Sequence, residues 1–340
     1  MQVKRILIIT DIKQDARKLF IDQTRKLTKG FIRLGHDATT FSYSSALRSL
    51  SPIKSKGFAA RFYKARVDRL LAKYTGDYGP DIVLIVFPRS FDAETVQHLR
   101  RAAPSAVLIG HDGDPWPQRT SSRIPTASQM DIMTATNDGT FLDAYRRGGA
   151  PLCIFLPNTC DPDMDRRHDV QHRWETDILW TGKTGHGVAG SDPIREELVG
   201  ALAEQRRAQL YGCLGRPKIG GLDYLHAISG ARIGVSISAV NTERLYHSDR
   251  LTHYAACGAF VLAKRFPDCE MLYRDGQHVK YFDTVEEFFE LADWYLAHEQ
   301  ERRRIADAGM KWVHERFNCV QMAQYVLDLA DQGRYTAPWT

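Results

Sequence analysis

Several short strings in this sequence gather residue types that could do chemistry. Ile109-Gly110-His111-Asp112-Gly113-Asp114-Pro115-Trp116 follows a strand-like run. A carboxylate or imidazole placed there can take the proton of a hydroxyl within hydrogen-bond reach. The string is also good turn material, since Asp-Gly-Asp-Pro suits a loop. Asp112-Gly113-Asp114 spells DxD, a carboxylate spacing that suits Mg²⁺ or Mn²⁺. Farther on, Thr181-Gly182-Lys183-Thr184-Gly185-His186-Gly187 is rich in glycine, which lets backbone approach a ligand closely. It contains G-K-T, but Asp177 stands where a P-loop needs its first glycine, which argues against a nucleoside triphosphatase. Ser236 to Asn241, with Arg244 and Tyr246, offers hydroxyls, an amide and a cation, either as ligand contacts or as turn chemistry. Near the N-terminus, Thr10-Asp11 follows the first strand without GxGxxG, so a dinucleotide-binding dehydrogenase lacks its signature.

The elements that must position these strings alternate. Ile6–Ile9 reads as a buried strand, followed by an amphipathic helix from about Ala16 to Leu34 and a strand from His36 to Tyr43. Arg61–Tyr74 reads as a helix. Pro80–Phe87 is a continuous apolar run of the kind buried on both faces of a parallel sheet. A helix over Asp92–Arg101 and strands at Ala106–Gly110, Asp131–Thr136 and Leu152–Leu156 complete the first unit. Asn158–Arg173 is polar and turn-rich, and is expected to be a linker. A second run of alternating elements starts at Asp177 and ends in a helix over Cys319–Leu329. The expectation is α/β: two Rossmann-like, doubly wound parallel-sheet domains facing a central cleft. The boundaries are 1–158, 174–318, and a tail at 319–340 that packs back on the first domain.

The composition supports two cores, because 340 residues with 43% hydrophobic content exceed what one core usually fills. A net charge of +5 suits anionic ligands. No basic run interleaved with aromatics and no zinc-finger spacing is present, so nucleic acid is not expected. The six cysteines, Cys153, Cys160, Cys213, Cys257, Cys269 and Cys319, are scattered without metal-ligand spacing. With no signal peptide and no long apolar stretch, a cytoplasmic protein is expected.

The most informative stretch is Ser248–Gly276, SDRLTHYAACGAFVLAKRFPDCEMLYRDG. Asp249 can cap a helix with Leu251, Tyr254 and Ala255 on its apolar side, ending at Cys257-Gly258. A buried strand, Ala259–Ala263, leads to a loop with the lone acid Glu270 and an Asp275-Gly276 turn. This segment, continued through Val279–Phe282 and Arg303–Phe317, resembles the donor-binding half of GT-B glycosyltransferases. The bacterial spore maturation protein-like glycosyltransferases are the most similar group. The resemblance covers the last 170 residues or so, and the first half loosely.

The resemblance implies a glycosyltransferase, hexosyltransferase-like, that moves a sugar from a nucleotide diphosphate to an acceptor hydroxyl. The acceptor would be a glycan, a lipid-linked molecule or a protein. The diphosphate would lie at the start of the Asp249 helix, where free N–H groups and the dipole favour anions, with Arg250 making paired bonds to phosphate. Gly182 and Lys183 would face the phosphate and sugar, and the loop ending at Arg216 the base. Glu270 would accept from ribose, with Asn241 and Tyr246 as further donor contacts. Asp112 would be the first candidate for the base that deprotonates the acceptor, with His111 and Asp114 behind it. No cofactor and no metal is expected beyond the nucleotide-sugar co-substrate: the DxD lies far from the donor features. The basic face of Arg61–Tyr74 suggests peripheral contact with the inner face of a membrane. A nucleotide-sugar epimerase and a non-catalytic surface or spore-structure protein are the alternatives.

Overall fold

The computed structural model describes residues 2–11, 22–53, 56–88, 90–113, 117–184 and 191–340. Its first sheet is built from β1 (Arg5–Thr10), β2 (Asp37–Ser42), β3 (Ile82–Ile85), β4 (Val107–Asp112), β5 (Ile132–Ala135) and β6 (Cys153–Phe155). All pairings are parallel, in the order β2-β1-β3-β4-β5-β6. Ile6–Ile9 and Ile82–Ile85 are buried throughout, because helices cover both faces of this sheet. Those helices are α1 (Gln23–Arg33), α2 (Tyr43–Leu50), α3 (Lys56–Tyr78), α4 (Ala93–Ala102), α5 (Pro117–Ala127) and α6 (Thr140–Arg147).

The second sheet holds β7 (Thr176–Thr181), β8 (Ala208–Tyr211), β9 (Ala231–Ser236), β10 (Phe260–Lys264) and β11 (Lys280–Phe282). Their order is β11-β10-β9-β7-β8, again parallel. Around them lie α7 (Pro193–Ala203), α8 (Leu222–Ser229), α9 (Asp249–Ala256), α10 (Cys269–Leu272), α11 (Val285–Ala297) and α12 (Glu299–Arg316). The strand order reverses between β7 and β9, so the crevice beyond their C-terminal ends is where a ligand belongs. Two doubly wound parallel sheets make this the GT-B architecture.

Local chemistry explains most boundaries. Asp92, Asp192 and Asn318 accept from backbone N–H groups at the starts of α4, α7 and α13 (Cys319–Gln332). At α9 the cap residue is Ser248 rather than Asp249, which is the first helical residue. The helix expected from Ala16 is described only from Gln23, with Asp22 as its cap. The sequence reading lacks α2, α5 and α6, and gives the residues of the short α10 to a loop. For α6 the reason is physical: its cap position is Gly139, and the missing acceptor is Glu243, a hundred residues on. Glu243 takes Thr140 N–H at 2.6 Å and the Thr140 hydroxyl at 2.7 Å.

The polar linker is strapped down. Lys26 and Lys29 of α1 each reach a linker carboxylate, Asp165 and Asp161, at 2.6 Å, and Arg33 pairs with Asp163. The chain crosses between the two halves a second time just before α13, and the two crossings bond to each other. Cys160 N–H and the Thr159 hydroxyl both donate to the Phe317 carbonyl, at 2.8 and 2.7 Å. Helix α13 then lies against α1. A β-carbon on Gly30 would drive into the Cys319 carbonyl and come within 2.9 Å of the Ala323 methyl. Beyond α13, the Tyr335 hydroxyl donates to the Phe155 carbonyl on β6 at 2.6 Å.

Candidate functional site

A cavity of about 280 Å³ opens at the strand reversal of the second sheet. One side is formed by Thr181, Gly182 and Lys183 at the end of β7 and by Asp249 and Arg250 at the start of α9. The other is formed by Tyr211 and Gly212 at the end of β8 and by Lys218, Ile219, Gly220 and Tyr224. Tyr211, Ile219 and Tyr224 make one flank apolar and aromatic; Arg250, Lys183 and Lys218 bring positive charge.

The charged end has an unusual construction. Trp180 is fully buried, and two guanidinium groups lie over its indole: Arg250 at 4.3 Å and Arg195 at 5.4 Å from the ring centroid. Arg250 donates to the Thr181 carbonyl at 2.9 Å and the Ile237 carbonyl at 3.3 Å. Arg195 donates through Nη2 to the Lys183 carbonyl at 2.8 Å, fixing the glycine-rich turn. Both arginines are buried, and among the described residues neither has a carboxylate partner. Burial, and then the charge of Arg250, pull the Arg195 guanidinium down to about 9. Two buried like charges without a counter-charge favour any anion that comes between them. Gly182 keeps that space open: at its φ of +133°, a β-carbon would lie 3.0 Å from Arg250 Nη1 and 3.9 Å from Arg195 Nη2.

Of the expected donor residues, the fold thus brings Gly182, Lys183, Asp249 and Arg250 together. It sends others elsewhere. Arg216 turns back to the Ala203 carbonyl at the end of α7, and Lys218 takes the place beside the aromatic flank. Asn241 braces its own loop, donating to Asp192 Oδ2 at 2.9 Å and accepting from Ser238 N–H at 3.1 Å. Glu270 is on the short helix α10 and borders a separate hollow with Asn241, Arg265 and Asp283. Its nearest charge is Arg265 at 3.8 Å. Tyr246 is buried and lines neither hollow.

In the first half, Asp112 at the end of β4 is fully buried. One carboxylate oxygen accepts from Arg123 and the other from the Tyr145 hydroxyl at 2.7 Å. Both oxygens are engaged inside the protein, so Asp112 anchors α5 and α6 instead of facing a hydroxyl of another molecule. His111 is buried with Nδ1 3.0 Å from the Thr134 hydroxyl, and burial brings its imidazole down to about 4. Asp114 lies outside the described residues. Sequence reasoning missed Arg195, Lys218 and Tyr224. Arg195 follows the α7 cap by three positions, and nothing local says that it folds back onto Trp180. Lys218 and Tyr224 flank the Gly220-Gly221 pair, whose glycines are the one sequence signal that pointed there.

The comparisons with known proteins fit this geometry. Residues 193–328 match the family model described as glycosyl transferase-like. Residues 193–328 thus form a glycosyl transferase-like domain on a GT-B frame. Sucrose-phosphate synthase from Thermosynechococcus elongatus is 14% identical, with a TM-score of 0.66 over 97% of this chain and 98% of that one. A glycosyltransferase from Rickettsia africae is 12% identical, with a TM-score of 0.62 over 98% and 99%. Anabaena Alr3699/HepE in complex with UDP and glucose is 11% identical, with a TM-score of 0.60 over 97% and 100%. No curated protein matches. At these identities the structures establish the shared fold. The glycosyltransferase assignment comes from the domain match, and the narrower likeness to the spore maturation protein-like group stays with the sequence.

Proposed function

We propose that the 280 Å³ cavity holds the nucleoside diphosphate of a sugar donor, and that the enzyme transfers the sugar to an acceptor hydroxyl in surface glycan or glycoconjugate synthesis. The observation that carries this reading is the buried Arg195–Arg250 pair over Trp180, which has no carboxylate partner among the described residues. A diphosphate between Arg250, Lys183 and the start of α9 supplies the missing negative charge. The base lies toward Tyr211 and Ile219. The same cations stabilise the charge that develops on the leaving diphosphate, which is the larger part of the catalysis. They do so without a metal. Of the three candidates at the end of β4, Asp114 is left to take the acceptor proton, because His111 is buried and Asp112 is held by Arg123 and Tyr145. Crystals of Alr3699/HepE with UDP-glucose support a uridine donor through the shared fold.

The enzyme works in a reducing compartment, a reading supported by its six buried free cysteines. Among the described residues no helix is long and apolar enough to cross a membrane. Helix α3 offers a peripheral contact instead. Its outer face exposes Phe62 by 61% and Leu70 by 46%, interleaved with exposed Arg61, Arg66 and Arg69. Those three arginines have no carboxylate partner among the described residues. This face suits the inner, anionic leaflet where a lipid-linked acceptor would be met.

The test is a thermal-shift screen against UDP, GDP, dTDP and their sugars, with and without EDTA. A ligand at 100 times its dissociation constant stabilises by about 2.7 kcal/mol. A shift with one diphosphate that EDTA leaves alone is expected. No shift with any nucleotide would remove the support for this reading. Release of free diphosphate only when an acceptor is added separates transfer from epimerisation.

A further inference from the structure

Tyr224 enters the donor cavity from the start of α8, and its hydroxyl is held from behind by a chain of buried polar groups. His253 Nδ1 is 3.4 Å from that hydroxyl. His253 Nε2 is 2.9 Å from Lys26 Nζ, which comes from α1 in the other half of the molecule. Lys26 Nζ also lies 2.6 Å from Asp165 Oδ2 and 3.3 Å from the Thr159 carbonyl.

The polarity of this chain is forced. An ammonium has three N–H donors and no acceptor. All three neighbours of Lys26 must therefore accept, His253 Nε2 among them. The imidazole proton is then on Nδ1, and Nδ1–H donates to the Tyr224 oxygen. Burial, and then the charge of Lys26, bring His253 down to about 3, so the ring stays neutral and keeps this single tautomer. Burial raises the Tyr224 phenol well above its usual range, so it keeps its proton. Among the described residues the Tyr224 hydroxyl has no other hydrogen-bond partner. Its proton is left to point at whatever fills the cavity.

We propose that Tyr224 is an obligate hydrogen-bond donor to a ribose hydroxyl of the bound nucleotide, set in that role by the Lys26–His253 relay. This rests on the reading of the cavity as a nucleoside diphosphate site. The ribose assignment follows from place. Tyr224 adjoins the Lys218–Gly220 flank in sequence, while its hydroxyl meets His253, one helical turn beyond Asp249 on the phosphate side. In a nucleotide the ribose joins base to phosphate. Tyr224 acts on the ligand directly; His253 and Lys26 are positioning residues.

Two measurements test this. Proton–nitrogen correlation spectra of the imidazoles in the ligand-free protein should show His253 protonated on Nδ1; protonation on Nε2 would overturn the relay whatever the cavity binds. Calorimetric titrations should then compare UDP, 2′-deoxy-UDP and 3′-deoxy-UDP. The wild type should prefer UDP over one deoxy form by about three- to tenfold, the worth of one neutral hydrogen bond. Tyr224→Phe should bind both equally. His253→Asn, whose amide can still donate, should keep most of the preference, and His253→Leu should lose it. If Tyr224→Phe discriminates as the wild type does, the assignment of Tyr224 is wrong while the donor site stands. A wild type that binds neither UDP nor any other nucleoside diphosphate overturns the donor site and the ribose contact together.

Discussion

Replacing Arg250 with methionine separates binding from folding at the charged end of the cavity. The methionine keeps aliphatic bulk over Trp180 and removes the guanidinium. In the free protein the change loses donors to the Thr181 and Ile237 carbonyls, worth about 0.5–1.5 kcal/mol each. It also loses a cation–π contact at 4.3 Å, worth roughly 0.5–2 kcal/mol. Against this, the variant removes one of two buried like charges and lets Arg195 return toward its ordinary range. The net stability loss should therefore fall near 1–2 kcal/mol, a melting shift of several degrees at most. Binding has no such offset. A charge-assisted bond to phosphate is worth about 1.5–3 kcal/mol, so affinity for the nucleoside diphosphate should fall roughly 10- to 150-fold. Calorimetric titration with a parallel melting curve reads both numbers. Affinity within threefold of the wild type, with the melting point lowered, would mean that Arg250 only holds β7 to β9 and that the site has been misread.

Three further outcomes are expected. His111, His247 and His253 are buried and brought down by burial to about 4, 4 and 3. The unfolded chain binds their protons first, so stability is fully present above about pH 6.5 and falls as pH drops toward 4, by up to ~2 kcal/mol per histidine at pH 5. Denaturant titrations from pH 7 to 5 check this, and a flat profile would contradict it. Gly30→Ala should cost about 1–3 kcal/mol through overpacking of α13 against α1, whereas an unchanged urea midpoint would show that the helices part easily. On α3, Arg61, Arg66 and Arg69 changed together to glutamine should weaken partitioning onto phosphatidylglycerol vesicles by roughly two orders of magnitude, at ~1 kcal/mol per arginine; equal sedimentation with neutral vesicles would rule out the electrostatic contact.

The sequence was most legible where each element carries its own instructions. Ile6–Ile9, Ile82–Ile85 and Phe260–Leu262 are apolar runs that only a doubly covered parallel sheet can bury. The stop of α9 announced itself through Cys257-Gly258, and its start was legible to within one residue, at Asp249 where the cap is Ser248. What escaped depends on partners distant in the chain. Helix α6 has no cap of its own, because Glu243 supplies it. Asp112 sits where a base would, yet Arg123 and Tyr145 consume it. Arg195 looks like a surface charge on α7 until Trp180 is brought beneath it. Glu270 and Asn241 have suitable chemistry, but the short helix α10 and the loop that carry them border a neighbouring hollow. Residue type and spacing predict what a local segment does; they do not say which carboxylate another segment has already taken.

The two bonded crossings at Thr159–Cys160 and Phe317–Asn318 also have a mechanical meaning. Two ropes lashed at one point make a single pivot: a swing of one half against the other would turn about that line, and a slide of one past the other would have to break both knots. The latch lies elsewhere, where Glu243 meets Thr140 and Arg244 meets Asp138. Opening the cleft would release the latch and leave the pivot tied. The Thr140 amide should therefore exchange with solvent much faster than the Cys160 amide, and a sugar entering the cleft should slow the first without touching the second.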